Sequence, residues 1–221
     1  PGTLLRCATC EPSIDLEELD AVILSHAHVD HSTDVNAIID AMTRGGFNKR
    51  GSLFAPDECL HGKNRVVLNY LRDHLDRIIP LKEETTYHVG NLTFNTSVRH
   101  DHCVETYGIQ FHMPPGNVSF LVDTGYFPEL VNSYQQSHVL VLNVVRNQPH
   151  DKYDLKHLNI REAEEIIRKI QPRLAIITHF GMTMIKNQPW ELAKEMSERL
   201  NCRVVAASDG KTVNLEDFLS P

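Results

Sequence analysis

The segment LSHAHVDHS, residues 24–32, carries four side chains that commonly bind metals: His26, His28, Asp30 and His31. It follows an apolar run at residues 19–24 that predicts a buried strand. Where a chain leaves a strand in extended form, alternate side chains point the same way, so the first three can converge while the fourth begins the next turn. Imidazole nitrogens suit zinc, iron, manganese or nickel, and a neighbouring carboxylate extends the choice to harder ions. The segment therefore predicts a metal site rather than a solvated polar loop.

Two coordination spheres need more than these four ligands, and strand ends are rigid positions from which further ligands can be aimed. Three later motifs place a ligand-type residue where an apolar strand pattern stops: VRHDHCVETYG, FLVDTG and AIITHFG, which contain His102, Asp123 and His179. His100 stands two residues before His102 and would point the same way in an extended chain. The spacing therefore leaves either histidine as the ligand of the first of these motifs.

A further histidine precedes a strongly marked helix start. His157 lies in the segment KHLNIREAEEII, where Asn159 and Glu162 have the spacing of a capping box. Because a helix N-terminus attracts anions, a histidine just ahead of it can approach a negatively charged substrate. His157 is therefore a candidate to protonate a leaving group, and a surface histidine beside a helix cap is the alternative.

The elements that must position these residues follow from hydrophobic periodicity and turn residues. Helices are predicted at residues 35–42, 64–75, 160–170 and 189–200. Strands are predicted at residues 19–24, 52–55, 77–79, 92–94, 106–113, 118–122, 139–144, 174–178 and 203–206. The pair Asp209-Gly210 predicts a closing hairpin, and Trp190 is expected to pack with Ala193 and Met196 on its helix.

The order of these elements predicts the fold class. A long strand-only stretch in the middle, with helices at intervals toward both ends, indicates an α/β protein built as an αββα sandwich of two sheets. A single doubly wound sheet is the alternative, but the strand-only stretch fits it badly and no phosphate-binding glycine loop follows the first strand. Since no linker, repeat or low-complexity tract interrupts the chain, we expect a single domain over residues 1–221.

Composition limits the classes of function. The formal charge of −7 and the lack of a basic block disfavour extended nucleic-acid binding, whereas a small anionic substrate remains compatible if divalent metals bind. No apolar run approaches the roughly 20 residues needed to cross a bilayer, and the start lacks a signal-peptide pattern, so a cytoplasmic protein without membrane contact is expected. The five cysteines are scattered and odd in number, which predicts reduced thiols.

The series His-x-His-x-Asp-His, a later histidine, Asp-Thr-Gly and a final Thr-His resembles the metallo-β-lactamase superfamily over nearly the whole chain. The His-Leu-Asn that contains His157 resembles a segment of its ribonuclease Z, ribonuclease J and related phosphodiesterase branches. The resemblance implies one metal held by His26, His28 and His102, a second held by Asp30, His31 and His179, and Asp123 as the bridge between them. From the ligand types, two divalent ions are expected, zinc first, with manganese, iron or nickel as alternatives. Members usually begin with strands that end in an Asp-x-Gly turn, so the usual N-terminal strands are expected to be missing before Pro1.

Two divalent ions would supply a bridging hydroxide as nucleophile and neutralise charge on a phosphoryl oxygen. Asp30 can both bind metal and accept a proton from the nucleophile. The sequence thus predicts a dinuclear hydrolase, first a phosphodiesterase acting on a small or cyclic phosphodiester or an RNA end. A thioester or lactone hydrolase of the same fold is one alternative, and a non-catalytic binding protein is another. Relatives often form dimers, so a homodimer stays open.

Overall fold

The computed structural model describes residues 1–150, 152–153 and 155–219, which fall into two units. The first unit comprises Pro1–Lys82, Val89–Asn91 and Val104–Tyr107, and the second comprises the other described residues. The first unit contains helices α1 (Thr3–Thr9), α2 (Val29–Ser32), α3 (Val35–Met42), α4 (Asp57–His61) and α5 (Asn69–Arg72). Its strands are β1 (Ala21–Ile23), β2 (Ser52–Pro56) and β3 (Arg77–Leu81), which form a parallel sheet in the order β1-β2-β3.

The second sheet belongs largely to the second unit. In the described chain it has seven strands in the order β10-β9-β8-β7-β6-β5-β4. The strands are β4 (Thr86–Val89), β5 (Leu92–Arg99), β6 (Tyr107–Met113), β7 (Gly116–Leu121), β8 (Val139–Asn143), β9 (Leu174–Thr178) and β10 (Arg203–Ala206). The helices are α6 (Pro128–Ser133), α7 (Ile160–Ile170), α8 (Met182–Lys186), α9 (Pro189–Leu200) and α10 (Glu216–Leu219). Strands β7 to β10 run parallel, and β6 pairs with β7 in the antiparallel sense.

The core of the first unit forms around α3 as the periodicity predicts. Val35, Ile39 and Met42 are buried on one face of α3 and pack with residues of β2, α4 and α5. The prediction of a helix at residues 64–75 is wrong, because only α5 is helical there. The side chain of Asn36 donates to the carbonyl of Val66 at 2.8 Å and accepts the backbone N–H of Leu68 at 2.9 Å. These bonds satisfy the backbone in a loop, while Val67, Leu71 and Leu75 are still buried.

The core of the second unit forms where α6, α7 and α9 pack with the parallel strands. Strands β8 and β9 are apolar along almost their whole length, which is typical of strands covered on both faces. The capping box of α7 is confirmed: the Asn159 side chain accepts the N–H groups of Arg161 and Glu162, and the Glu162 carboxylate accepts the N–H of Asn159 at 3.0 Å. The helix buries its stripe Ala163, Ile166, Ile167 and Ile170.

Three strand ends that carry polar residues lie at one edge of the second sheet. In the parallel register, Leu121 of β7 pairs with Leu142 of β8, and Asn143 of β8 pairs with Thr178 of β9. The residues that follow these pairs must therefore emerge side by side. This register brings Asp123, Asn143 and His179 to one place although they are distant in sequence.

Most predicted elements are confirmed, including helices 160–170 and 189–200 and strands 174–178 and 203–206. The closing hairpin is wrong: the N–H of Lys211 bonds the carbonyl of Ser208 at 3.0 Å in a turn, and the described residues after it form no strand. Trp190 does not pack, since it is 58% exposed in the first turn of α9.

All five cysteines lie in the described part of the chain as free thiols. Within that part, no helix is long and apolar enough to cross a membrane. The single domain over residues 1–221 stays a prediction.

Candidate metal centre

The opening histidines gather around a buried imidazole. His26 is fully buried, and its ring centroid lies 5.0 Å from that of His28 and 4.1 Å from that of His31. The hydroxyl of Ser25 lies 3.1 Å from His26 Nδ1, which fixes one side of the ring. The predicted extended alternation covers only His26 and His28, because α2 already begins at Val29 and places Asp30 in a helical turn. Asp30 keeps contact with the cluster through its Oδ2, 3.5 Å from His31 Nε2.

Asp123 is a buried carboxylate between two histidines. It is only 2% exposed, and it follows β7. Its Oδ2 lies 3.7 Å from Nδ1 of His157, and its Oδ1 lies 3.8 Å from Nε2 of His179. The side-chain amide of Asn143 donates to the same Oδ1 at 2.8 Å. A carboxylate is costly to bury unless positive charge and hydrogen-bond donors surround it, so this arrangement is suited to hold a cation.

Asn143 is a site residue that sequence reasoning did not find. It is the last residue of the apolar strand β8, in the sequence VLVLN. A polar residue at the end of an apolar strand was the signal that identified Asp123 and His179, and Asn143 carries the same signal. Its role becomes visible only when β7 and β8 are known to be neighbours in the sheet.

His179 has a left-handed backbone conformation, with φ of 61°. A non-glycine residue there costs on the order of 1–3 kcal/mol, and such conformations persist where neighbouring structure enforces them. The N–H of Val144 bonds the carbonyl of Thr178 at 2.8 Å, and the N–H of Gly181 bonds the carbonyl of Val145 at 3.0 Å. A Cβ at Gly181 would lie 2.7 Å from that Val145 oxygen, so glycine allows this close approach. The chain is thus held on both sides of His179, which directs its imidazole toward Asp123.

His100 and His102 have different surroundings. Both ring nitrogens of the buried His100 are engaged: Nδ1 lies 3.1 Å from the backbone oxygen of Asp123, and Nε2 lies 2.9 Å from the hydroxyl of Tyr134. Burial lowers the pKa of His100 to about 4, so its ring is neutral at neutral pH. A carbonyl oxygen can only accept, so Nδ1 donates and Nε2 accepts from Tyr134. His100 therefore supports the Asp123 backbone.

His102 is held from the segment before α7. Its Nδ1 lies 2.9 Å from the backbone oxygen of Lys156, and its ring centroid lies 5.1 Å from that of His157. The ammonium of Lys156 also pairs with Asp101 at 2.9 Å, next to His102 in sequence. A histidine whose Nδ1 bonds a carbonyl presents Nε2 as its ligand atom, the usual arrangement at metal sites.

Each unit has its own cluster of ligand-type side chains. The first unit contributes His26, His28, Asp30 and His31. The second contributes His102, Asp123 and His179, with His157 beside Asp123. Imidazole nitrogens with few carboxylates fit zinc and similar transition metals. The His/Asp cluster is thus compatible with a dinuclear divalent metal site.

Residues 3–180 match the family described as "Beta-lactamase superfamily domain". The match covers most of the sequence, and the chain belongs to this family. The predicted resemblance to the metallo-β-lactamase superfamily and the predicted two-sheet α/β fold are thereby confirmed. A relative, an uncharacterized protein from Methanocaldococcus jannaschii, is 26% identical over 97% of this chain and 80% of its own length.

Solved structures show the same fold at low sequence identity. The metallo-β-lactamase fold protein YhfI from Bacillus subtilis superposes with a TM-score of 0.78, at 20% identity over 96% of this chain and 83% of that one. A diphosphatase from the PhnP family gives a TM-score of 0.64, at 20% identity over 87% of this chain and 69% of that one. The short form of human tRNase Z gives 0.67, at 12% identity over 96% and 85%.

Proposed function

We propose that this protein is a dinuclear metal-dependent hydrolase that cleaves small phosphodiesters. The observation that carries the proposal is the position of the buried Asp123 carboxylate. One of its oxygens faces His157 and the other faces His179 and Asn143. A carboxylate with its two oxygens placed in this way can be shared by two cations. A shared carboxylate is how a protein keeps two cations close together for one reaction.

In this proposal His26, His28 and His102 bind the first ion, and Asp30, His31 and His179 bind the second, with Asp123 shared. The donor set fits zinc, and manganese, iron or nickel are alternatives. When bound, two such ions lower the pKa of a water and neutralise charge on a phosphoryl oxygen. Hydrogen bonds hold three of these ligands in place: Ser25 bonds His26, the Lys156 carbonyl bonds His102, and Asn143 bonds Asp123.

Asp30 is placed to accept a proton during attack. Its side chain is 48% exposed and lies 3.5 Å from His31, so solvent and substrate can reach it while it stays near the second ligand group. A carboxylate within reach of the attacking water serves as a general base. Asp30 therefore has two roles in the proposal, metal ligand and proton acceptor.

His157 is placed to donate a proton to the leaving group. Its side chain is 26% exposed beside Asp123, and the N–H of its backbone bonds the carbonyl of Leu155 at 2.7 Å. The α7 N-terminus follows two residues later and adds its favourable field for an anion. An imidazole that presents a protonated ring nitrogen to the substrate can donate that proton to a leaving oxygen.

The substrate is proposed to be small and anionic. The net charge of −7 without a basic block gives little hold on a long phosphate backbone. Two fold neighbours bear the names diphosphatase and tRNase, both of which denote reactions at phosphate groups. These neighbours support reaction at phosphorus, and the charge of this chain supports a small diester over a long RNA.

A substrate panel with defined metal content tests the proposal. Purified protein loaded with zinc or manganese is assayed on bis-p-nitrophenyl phosphate, a thioester and a lactone. We expect selective phosphodiester cleavage, with about two metal ions per chain by mass spectrometry of the bound metal. Asp123→Ala is expected to lose both metal and activity, whereas Asp40→Ala, at an exposed position of α3, retains both. Cleavage of only the thioester or lactone would overturn the phosphodiesterase assignment.

A further inference from the structure

A cavity of about 620 Å³ opens beside His179, where β9 and β10 end. Thr178 and His179 form one wall, and Ala206 and Ala207, at the end of β10, form another. The cavity lies at the carboxyl ends of the parallel neighbours β9 and β10, which is the end of the strands where open α/β sheets bind their ligands. Its volume is in the range of pockets that enclose a small organic molecule.

The outer wall of the cavity is aromatic and apolar. It contains Phe180, Ile185 and Trp190, of which Ile185 is 48% exposed and Trp190 is 58% exposed. Trp190 stands in the first turn of α9, while the buried stripe of that helix begins with Pro189 and Ala193. A large aromatic surface is therefore available to a ligand in the cavity.

The cavity is also lined by polar side chains, which offer both kinds of hydrogen-bonding group. Ser208, Asp209 and Lys211 line it, on a turn closed by the bond from the Lys211 N–H to the Ser208 carbonyl at 3.0 Å. The ammonium of Lys211 also donates to the carbonyl of Ala206 at 3.0 Å, which holds it against the cavity wall. An ammonium has three donors, and a carboxylate only accepts, so the rim can match a ligand edge that carries both donors and acceptors.

This combination discriminates between ligand classes. An alkyl chain would make no use of the hydrogen-bonding groups of Ser208, Asp209 and Lys211. A bare phosphate would make no use of Trp190 and would meet the carboxylate of Asp209. A planar heteroaromatic ring satisfies both walls, because its face stacks on an indole and its edge forms hydrogen bonds.

We propose that this cavity is a subsite for a nucleobase carried by the phosphodiester. Trp190 stacks on the base, and the rim of Ser208, Asp209 and Lys211 bonds its edge. The proposal deepens the proposed function and rests on it in one respect, that His179 at the cavity wall belongs to the phosphate-cleaving centre. The substrate class is then a nucleotide-like diester rather than an alkyl diester.

The first experiment measures binding without turnover. Trp190 is the sole tryptophan of the sequence, so its fluorescence, excited at the red edge of its absorption, reports on this cavity alone. The metal-loaded protein is titrated with adenosine 5′-monophosphate, which contains no diester bond, and with ribose 5-phosphate, which has the same phosphate group and no base. Saturable quenching by the first and none by the second is expected. Equal responses to both compounds would overturn the proposal.

The second experiment measures substrate selectivity. Thymidine 5′-p-nitrophenyl phosphate and methyl p-nitrophenyl phosphate release the same leaving group and differ in the group that is retained. Trp190→Ala is expected to raise KM for the nucleoside diester about tenfold, with kcat changed less than about twofold. KM for the methyl diester should not change, and Trp190→Phe should keep most of the binding. Phe47→Ala, at a residue 96% exposed outside the cavity lining, is the matched control.

The outcomes separate this inference from the proposed function. Cleavage of both diesters with equal effects of Trp190→Ala, or with no effect, would overturn the nucleobase subsite and leave the hydrolase standing. Saturable quenching by adenosine 5′-monophosphate without cleavage of any diester would confirm the subsite and overturn the proposed reaction. Base-selective quenching together with a selective rise in KM confirms both.

Discussion

The Tyr134 hydroxyl lies 2.9 Å from Nε2 of His100, and both side chains are buried. His100 in turn bonds the backbone oxygen of Asp123 at 3.1 Å through Nδ1. Burial of this network also raises the pKa of Tyr134 above its usual value, so its hydroxyl keeps its proton. A buried chain of bonds thus runs from a core tyrosine to the backbone of the proposed bridging ligand. Small changes to the residues of this chain of bonds should therefore lower the stability of the protein.

Tyr134→Phe removes the hydroxyl that bonds His100 and leaves the His100 acceptor unsatisfied in the core. We expect the free energy of unfolding to fall by about 1–3 kcal/mol, measured by urea denaturation followed by circular dichroism. Tyr70→Phe, at a tyrosine that is 63% exposed, should change it by less than about 0.5 kcal/mol. If both variants lower the free energy of unfolding equally, the buried bond between Tyr134 and His100 makes no special contribution to stability.

Gly108→Ala should destabilise the protein through the same tyrosine. A Cβ at Gly108 would lie 1.6 Å from the Tyr134 hydroxyl oxygen and 2.7 Å from the backbone oxygen of Phe120. We expect a loss of roughly 3 kcal/mol from this overpacking. The double variant with Tyr134→Phe should recover part of the loss, because the nearest clashing atom is gone. If the double variant loses as much stability as the two single variants lose together, this account is contradicted.

Sequence periodicity predicted the elements whose stability comes from a buried stripe. Helix α7 has that stripe, the capping box and a following Pro172, so three local signals agree. Residues 64–75 have a comparable apolar pattern, but the side chain of Asn36, distant in sequence, bonds the backbone of Val66 and Leu68 instead. A tertiary hydrogen bond of this kind is invisible to a pattern along the chain.

Ligand-type residues were predicted at the ends of apolar strand patterns, and the structure places Asp123 beside His157 and His179. The same rule could not separate His100 from His102, because both positions point alike in an extended chain. Only the buried partner Tyr134 distinguishes the first of these histidines. The packing predicted for Trp190 is wrong because helical spacing identifies one face of a helix but cannot show that this side chain, in the first turn of α9, is 58% exposed.

Asn143→Ala removes the 2.8 Å bond to the Asp123 carboxylate. Residues that hydrogen-bond to a metal ligand typically contribute 10–100-fold to metal affinity or activity. We therefore expect a loss of about that size in metal affinity and in kcat. Competition with a metal chelator measures the affinity. Asn187→Ala removes a similar bond, to the carbonyl of Thr183 at 2.7 Å on the exposed helix α8, and serves as the control. Loss of stability without loss of metal would argue against the assigned role.

Cys59 should be the least reactive thiol and should make stability depend on alkaline pH. Burial, with added effects of Glu105 and Glu58, raises its pKa from 9.0 to about 12. The unfolded thiol ionises first, so the stabilisation is full below pH 9 and is lost as pH rises from 9 toward 12, by about 1 kcal/mol per pH unit. Cys59→Ala should flatten this slope in urea denaturation. Alkylation of the native protein should reach exposed Cys10 and Cys103 and spare Cys59.

His157→Ala should slow only reactions whose leaving group needs a proton. A p-nitrophenolate can leave without being protonated, whereas an alkoxide needs a proton. We therefore expect kcat to fall about 10²–10⁴-fold for an alkyl leaving group and far less for p-nitrophenolate. Metal content should stay unchanged, because His157 is not among the proposed metal ligands. His61→Ala, at an exposed imidazole paired with Asp57, is the control. Equal losses on both substrates would mean that His157 positions Asp123 and does not supply the proton.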